Sequence, residues 1–140
     1  MIDGGNATCF VYGQTGSGKT YTIYGNREQN VDGLTKHLLT EIIKLTDEAF
    51  GGSVKVFVSL FEIYGSKIHD LLNEKNVLKM LEDSSGKSQI KGLKEFEVKS
   101  LDEAIGLLFN GICFRSVGKT SCNENSSRSH AVMQITLKSV

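Results

Sequence analysis

Eight residues near the start, Gly13-Gln14-Thr15-Gly16-Ser17-Gly18-Lys19-Thr20, limit more than any other stretch what this 140-residue chain can fold into. Glycines at the first, fourth and sixth places let a backbone wrap around an anion with its amides pointing inward, and Lys-Thr at the end adds a point charge and a hydroxyl. The β-prone run Ala7-Thr8-Cys9-Phe10-Val11-Tyr12 comes just before, and a helix becomes plausible only from Lys19, so the loop is expected between strand and helix. A helix beginning there directs its positive dipole end at the same anion. Lys19 is then placed for the β and γ phosphates of a purine nucleoside triphosphate and the Thr20 hydroxyl for Mg2+. A Gly/Ser-rich turn that merely joins strand to helix explains the glycines but not the Lys-Thr that ends them.

A second polar cluster, Asn123-Glu124-Asn125-Ser126-Ser127-Arg128-Ser129-His130, packs three hydroxyls, an arginine and amides into eight residues. Taken alone it is most simply a solvated loop. Taken with the glycine loop, it is a candidate for holding a γ-phosphate and its metal.

The elements between these motifs alternate in type. Leu34, Leu38, Ile42 and Leu45 recur at three- and four-residue steps and predict a helix with one buried face, after a loop around residues 25–30. Residues 53–64, apolar on both faces towards the middle, predict a central strand. Residues 66–72 are expected as a short helical turn and 77–98 as a small hairpin or lobe. Ser100-Leu101-Asp102-Glu103 fits a capping box opening a helix whose apolar face is Leu101, Ala104, Ile105, Leu108 and Ile112. Val132, Gln134, Thr136 and Lys138 alternate with Met133, Ile135 and Leu137, which predicts a closing strand.

Together, Tyr12 to Thr22 and Asn123-x-x-Ser126-Ser127-Arg128-Ser129-His130 resemble the kinesin motor domain, and the likeness extends through Phe61-Glu62-Ile63-Tyr64, Asp70-Leu71-Leu72, Arg115 and Gly118-Lys119-Thr120. The resemblance implies an α/β fold of the P-loop NTPase, kinesin-motor type, with a mixed central sheet flanked by helices. It makes residues 13–20 the ATP loop, with Gly13, Gln14, Thr15, Gly16, Ser17, Gly18, Lys19 and Thr20 on the phosphates, and residues 123–130 switch I, the segment that senses γ-phosphate. Ser126 would contact that phosphate, Ser127 would join Thr20 at Mg2+, and Asn123 and Arg128 would order the switch. Tyr21 stands where kinesins often carry a histidine against adenine, and its ring still offers a stacking face. Lys67, Lys87 and Lys91, with Lys79, match regions that face microtubules, whose tubulin surface is acidic; apart from the family they are an ordinary solvated face. Phe61 to Lys67, Leu81-Glu82-Asp83 and Ser129 to Gln134 look most like the internal-motor kinesin-13 class, which depolymerises microtubule ends.

Charge and cysteine content narrow the partners. The 16 basic and 16 acidic side chains cancel, so no overall field draws the chain to nucleic acid or to an anionic membrane, and no apolar run approaches the roughly 18 residues of a membrane span. Cys9, Cys113 and Cys122 lie far apart with no ligand-spaced neighbour, which predicts neither a disulfide framework nor a zinc site and favours a reducing compartment, cytoplasm or nucleus. With the resemblance, the expected location is the cytoskeleton, on microtubules including those of the spindle.

The likeness covers residues 1–140 as part of a motor domain. The earlier strands and the switch II motif of the family have no counterpart here, so the domain is expected to be incomplete and inactive as an ATPase in isolation, although a complete motor would be stimulated by microtubules. Two other readings compete: a non-catalytic kinesin-like piece that binds tubulin or another partner without ATP turnover, and another P-loop NTPase such as a nucleotide kinase, which gives no reason for the second motif.

Overall fold

A computed structural model describes residues 4–26, 28–117 and 129–140. Among them, helices and strands follow in the order α1 (Lys19–Tyr24), β1 (Gly25–Asn26), β2 (Val31–Asp32), α2 (Leu34–Phe50), β3 (Val54–Tyr64), β4 (Lys67–Asp70), β5 (Asn76–Glu82), β6 (Ser88–Lys91), β7 (Phe96–Val98), α3 (Leu101–Val117) and β8 (Ser129–Ser139). The fold is α/β: a sheet with helices packed against it, its strands running β6-β5-β4-β3-β7 with β8 along the other edge of β3. Every ladder between described strands is antiparallel.

β3 is the central strand its composition predicts. β4 and β7 lie end to end along one edge, where the Leu71 amide closes the gap by bonding the Leu60 carbonyl (2.9 Å), and β8 pairs with all of β3 from Val54↔Ser139 to Tyr64↔Ser129. Alternation then divides the core. Val56, Val58 and Leu60 face α2 and α3 with Met133, Ile135 and Leu137 opposite them, while Phe61 packs on the other face with Ile68, Leu78 and Val132. Each fully buried leucine, such as Leu39, Leu60 or Leu71, contributes about 1.5–3 kcal/mol from apolar burial.

Three expectations need correction. The run Ala7–Tyr12 lies in no strand and pairs with none of the described strands; Phe10 and Tyr12 are 76% and 85% exposed. β-propensity mostly measures fit against neighbours, so without a ladder it forms nothing. Residues 66–72 do not form a helical turn: Gly65 (φ 59°) and Ser66 make the two-residue link of a hairpin, with Tyr64 opposite Lys67. The buried face of α2 is Thr35, Leu39, Ile42 and Thr46, one residue further round than expected, and Leu34, Leu38 and Leu45 are 39–43% exposed. Two threonines hide that stripe from an apolar count. Thr46 is tolerated inside because its hydroxyl donates to the Ile42 carbonyl (2.7 Å).

The capping box forms. The Glu103 amide bonds Ser100 Oγ (3.2 Å), and the Glu103 carboxylate reaches back to the Lys99 amide (2.9 Å). α3 then lies close on the sheet at Gly111, where a methyl group would meet Leu60 and Leu72 Cδ2 at 2.7 and 2.9 Å. The predicted interruption between the first two helices is also present, as the two-rung β1–β2 ladder. It depends on two glycines: a Cβ on Gly25 would come 2.1 Å from the Val31 carbonyl oxygen, and one on Gly33 would come 2.3 Å from the Gly25 nitrogen. That contact fixes α1, and the loop before it, against the start of α2.

Candidate nucleotide-binding site

The loop from Gly13 to Gly18 is exposed and turns on positive φ at Gly13 (153°), Gly16 (84°) and Gly18 (87°). A side chain at the last two positions would be strained by the backbone alone, although the space beside them is open. The Ser17 amide closes a turn on the Gln14 carbonyl (3.2 Å), and Gly13 lies so close that a Cβ there would be 2.5 Å from Ser17 Oγ. Lys19 folds back over this turn, donating from Nζ to the Gly13 and Gln14 carbonyls at 2.6 Å each. A cation is thereby held in the loop's concavity among glycines that leave room for an anion, so the residues present fit a triphosphate.

Thr20 follows on α1 with its side chain exposed, and Tyr21, 47% exposed, is next. The Thr20 hydroxyl suits Mg2+, which takes one or two protein ligands together with phosphate oxygens and water. No cluster of three His, Cys, Asp or Glu suited to a metal occurs among the described residues.

Asn123, Ser126, Ser127 and Arg128 lie outside the described residues, so no geometry is assigned to them. The ends of that stretch are defined. Arg115, near the end of α3, donates from Nε to Glu62 Oε1 on β3 (2.9 Å) and from Nη2 to the carbonyl (3.3 Å) and Oγ (3.1 Å) of Ser129, the first residue of β8. At the end of α1, burial pushes the Tyr24 phenol up, and the Arg115 guanidinium partly opposes that rise. Sequence reasoning placed Arg115 within the family likeness but missed this junction. Glu62 is 53 residues away and becomes a neighbour only once β3 and α3 pack.

The lysines fall on one wing of the sheet. Lys79 is directly opposite Lys91, and Lys67 occupies the next register position beyond Ile68↔Leu78, opposite Lys79. Lys67, Lys79 and Lys91 therefore form an exposed row across β4, β5 and β6, with Lys87 at the nearby hairpin end. Two shallow hollows, of about 210 Å3 between α2 and β3 and about 390 Å3 beside β6, lie away from the phosphate loop; the Lys55–Glu97 ion pair (3.1 Å) lines the first.

The family model for the kinesin motor domain matches residues 1–140. A solved structure described as that of a fast kinesin, with implications for ATPase mechanism and interactions with microtubules, superposes with a TM-score of 0.84 at 33% identity. The alignment covers 97% of this chain and 40% of that one, so the chain spans well under half the length of the kinesin it matches. With the phosphate loop, the central β3 and its β8 partner set out as described, this chain belongs to the kinesin motor domain family.

Proposed function

We propose that the chain is the ATP-binding part of a microtubule-based kinesin motor, which couples ATP hydrolysis to movement along microtubules or to their depolymerisation. The observation that carries this reading is the Lys19 ammonium held over the glycine turn at 2.6 Å from two carbonyls, at the start of α1. There the loop amides and Lys19 would bind the β and γ phosphates, the Thr20 hydroxyl would hold Mg2+ together with Ser127, and the Tyr21 ring would stack on adenine. Mg2+ supplies charge neutralisation between the phosphates when bound. Ser126 contacts the γ-phosphate, and Asn123 and Arg128 order the segment around it. Hydrolysis by P-loop proteins relies on positioning and electrostatic stabilisation, so full turnover requires the rest of a motor domain.

The row of Lys67, Lys79 and Lys91, with Lys87, supports a microtubule-facing surface. Like charges opposite one another in a sheet oppose folding, and an acidic tubulin surface would relieve that repulsion. No described helix is long and apolar enough to cross a membrane. A second reading, binding of tubulin or another partner without ATP turnover, is favoured by one observation: the segment that leads into the phosphate loop has no strand partner among the described residues.

Titration with a fluorescent ATP analogue and Mg2+ tests the proposal. Saturable binding that Lys19→Ala weakens at least tenfold is expected, and binding indifferent to that substitution would refute it. For the intact parent, microtubule-stimulated ATPase is expected; end-shortening of stabilised microtubules under the microscope favours the internal-motor class, and directed gliding excludes it.

A further inference from the structure

Among the described residues β8 pairs only with β3, so the outer edge of its eleven residues, Ser129–Ser139, carries no ladder. Such an edge offers a row of backbone donors and acceptors to any extended segment, and proteins ordinarily blunt it with proline, a bulge or unpaired charge. β8 has none of these. The chain contains no proline, and the register with β3 runs unbroken from Val54↔Ser139 to Tyr64↔Ser129. Lys138, the one lysine, arginine or acidic residue in the strand, is already paired with Glu95 and lies over the Phe57 ring.

The side-chain pattern of β8 matches itself about its midpoint, Gln134. A two-fold axis through Gln134, perpendicular to the sheet, lays a second β8 antiparallel beside the first. Paired residues in an antiparallel ladder share a face. Met133 then meets Ile135 and Ala131 meets Leu137 on the face that carries α2 and α3, while Val132 meets Thr136 and Gln134 meets its own copy on the other. Met133, Ile135 and Leu137 are only partly buried by the chain's own core, so each gains an apolar neighbour across the axis. Ser129 falls opposite Ser139 and His130 opposite Lys138, so the lysine does not meet its own copy. A shift of two residues either way loses rungs and sets Val132 against Gln134 or Lys138. This fit of the strand to itself favours a second copy over an unrelated segment.

We propose that β8 is a self-association edge, through which two copies of this chain join antiparallel about Gln134 into one continuous sheet. The contact does not involve the phosphate loop and does not rest on the ATP reading. Eleven residues at about 3.4 Å each give a ladder about 37 Å long, and a sheet about 10 Å thick gives a contact of roughly 400 Å2 on each copy. That is the low end for a specific interface, so the dimer is reversible, with a dissociation constant of the order of 10 µM. Because the same edge serves both copies, the contact closes on itself and assembly ends at the dimer.

Sedimentation velocity of the 140-residue chain provides the test. Between about 1 and 100 µM the weight-average mass is expected to rise from that of the 15.3 kDa chain towards twice that value. Gln134→Lys and Gln134→Glu each set like charges against one another at the axis and should weaken the dimer about tenfold or more. An equimolar mixture of the two variants, now oppositely charged across the axis, should restore association to within about threefold of the parent. Ser59 Oγ donates to Gln134 Oε1 (3.4 Å), an acceptor that the glutamate variant keeps. If the lysine variant fails to fold, amide exchange in the parent decides: the alternate β8 amides that point away from β3 should become protected as concentration rises. A parent that stays monomeric at about 100 µM or assembles beyond the dimer overturns the proposal. So does a mixture of folded variants that shows no recovery, or β8 protection that is independent of concentration, and each of these outcomes leaves the ATP reading intact.

Discussion

Asp70→Asn isolates one polar contact without changing side-chain shape. Asp70 is fully buried at the end of β4, with Oδ1 accepting the Leu72 amide (3.0 Å) and Oδ2 the Lys94 amide (2.9 Å). It joins the turn after β4 to the segment before β7, two stretches that no strand pairing connects. An asparagine can accept from only one of these amides and turns an NH2 group towards the other. The retained bond loses its charge assistance, about 1 kcal/mol, and the opposed amide, in a part-buried contact, faces a donor instead of an acceptor, about 1–3 kcal/mol. The sum is about 2–4 kcal/mol. With a urea dependence of about 1.5 kcal/mol per molar, the unfolding midpoint should fall by about 1.3–2.7 M at unchanged slope. Amide exchange at Leu72 or Lys94, whichever faces the new NH2, should accelerate well beyond its neighbours. A midpoint within about 0.3 M of the parent, with both amides still protected, would refute the account of Asp70 as a two-way acceptor.

Gly33→Ala should cost about 3 kcal/mol or more, because its Cβ would lie 2.3 Å from backbone that cannot yield, whereas Gly51→Ala, with open space and φ 53°, should cost only about 1 kcal/mol; chemical denaturation of both variants checks the contrast. Ser100→Ala removes the hydroxyl acceptor of the Glu103 amide and should destabilise by about 1 kcal/mol, a fall of about 2–4 °C in Tm by calorimetry. At the hairpin end, hydrogen bonds to Asp83 from the Ser85 hydroxyl and the Lys87 amide, with others from Ser85 and Gln89, hold its carboxyl below the ordinary 3.8. The folded value is depressed, so this contribution is present above pH 3.8 and lost as pH falls through the lower folded value. The Ser85 and Lys87 amide NMR signals should titrate in that window, and Asp83→Asn should abolish the titration.

Where the sequence carried a local mechanism, the structure followed it. The capping box at Ser100 and Glu103, the alternation of Met133, Ile135 and Leu137, and the both-sided apolar run of β3 each depend on nearby residues and were legible. Errors arose where neighbours decide. Ala7–Tyr12 has the propensity of a strand but no ladder among the described residues, and the α2 stripe turned because Thr35 and Thr46 are buried while three leucines are not. Within the candidate site, glycine spacing announced the phosphate loop, but no local pattern joins Glu62, Arg115 and Ser129. Tertiary packing alone brings them together.

The full-length pairing of β3 with β8 also bears on how the chain is made. Rungs such as Ser59 opposite Gln134 lie 75 residues apart, so this ladder has to close a long loop before it gains anything. At a synthesis rate of about 5–20 residues per second, β3 waits roughly 4–15 s for that partner. During that interval one edge of an eleven-residue apolar strand is open to any other extended segment nearby. The newborn chain is therefore most vulnerable to aggregation before Ser129–Ser139 emerges, and a chaperone acting then would protect it best.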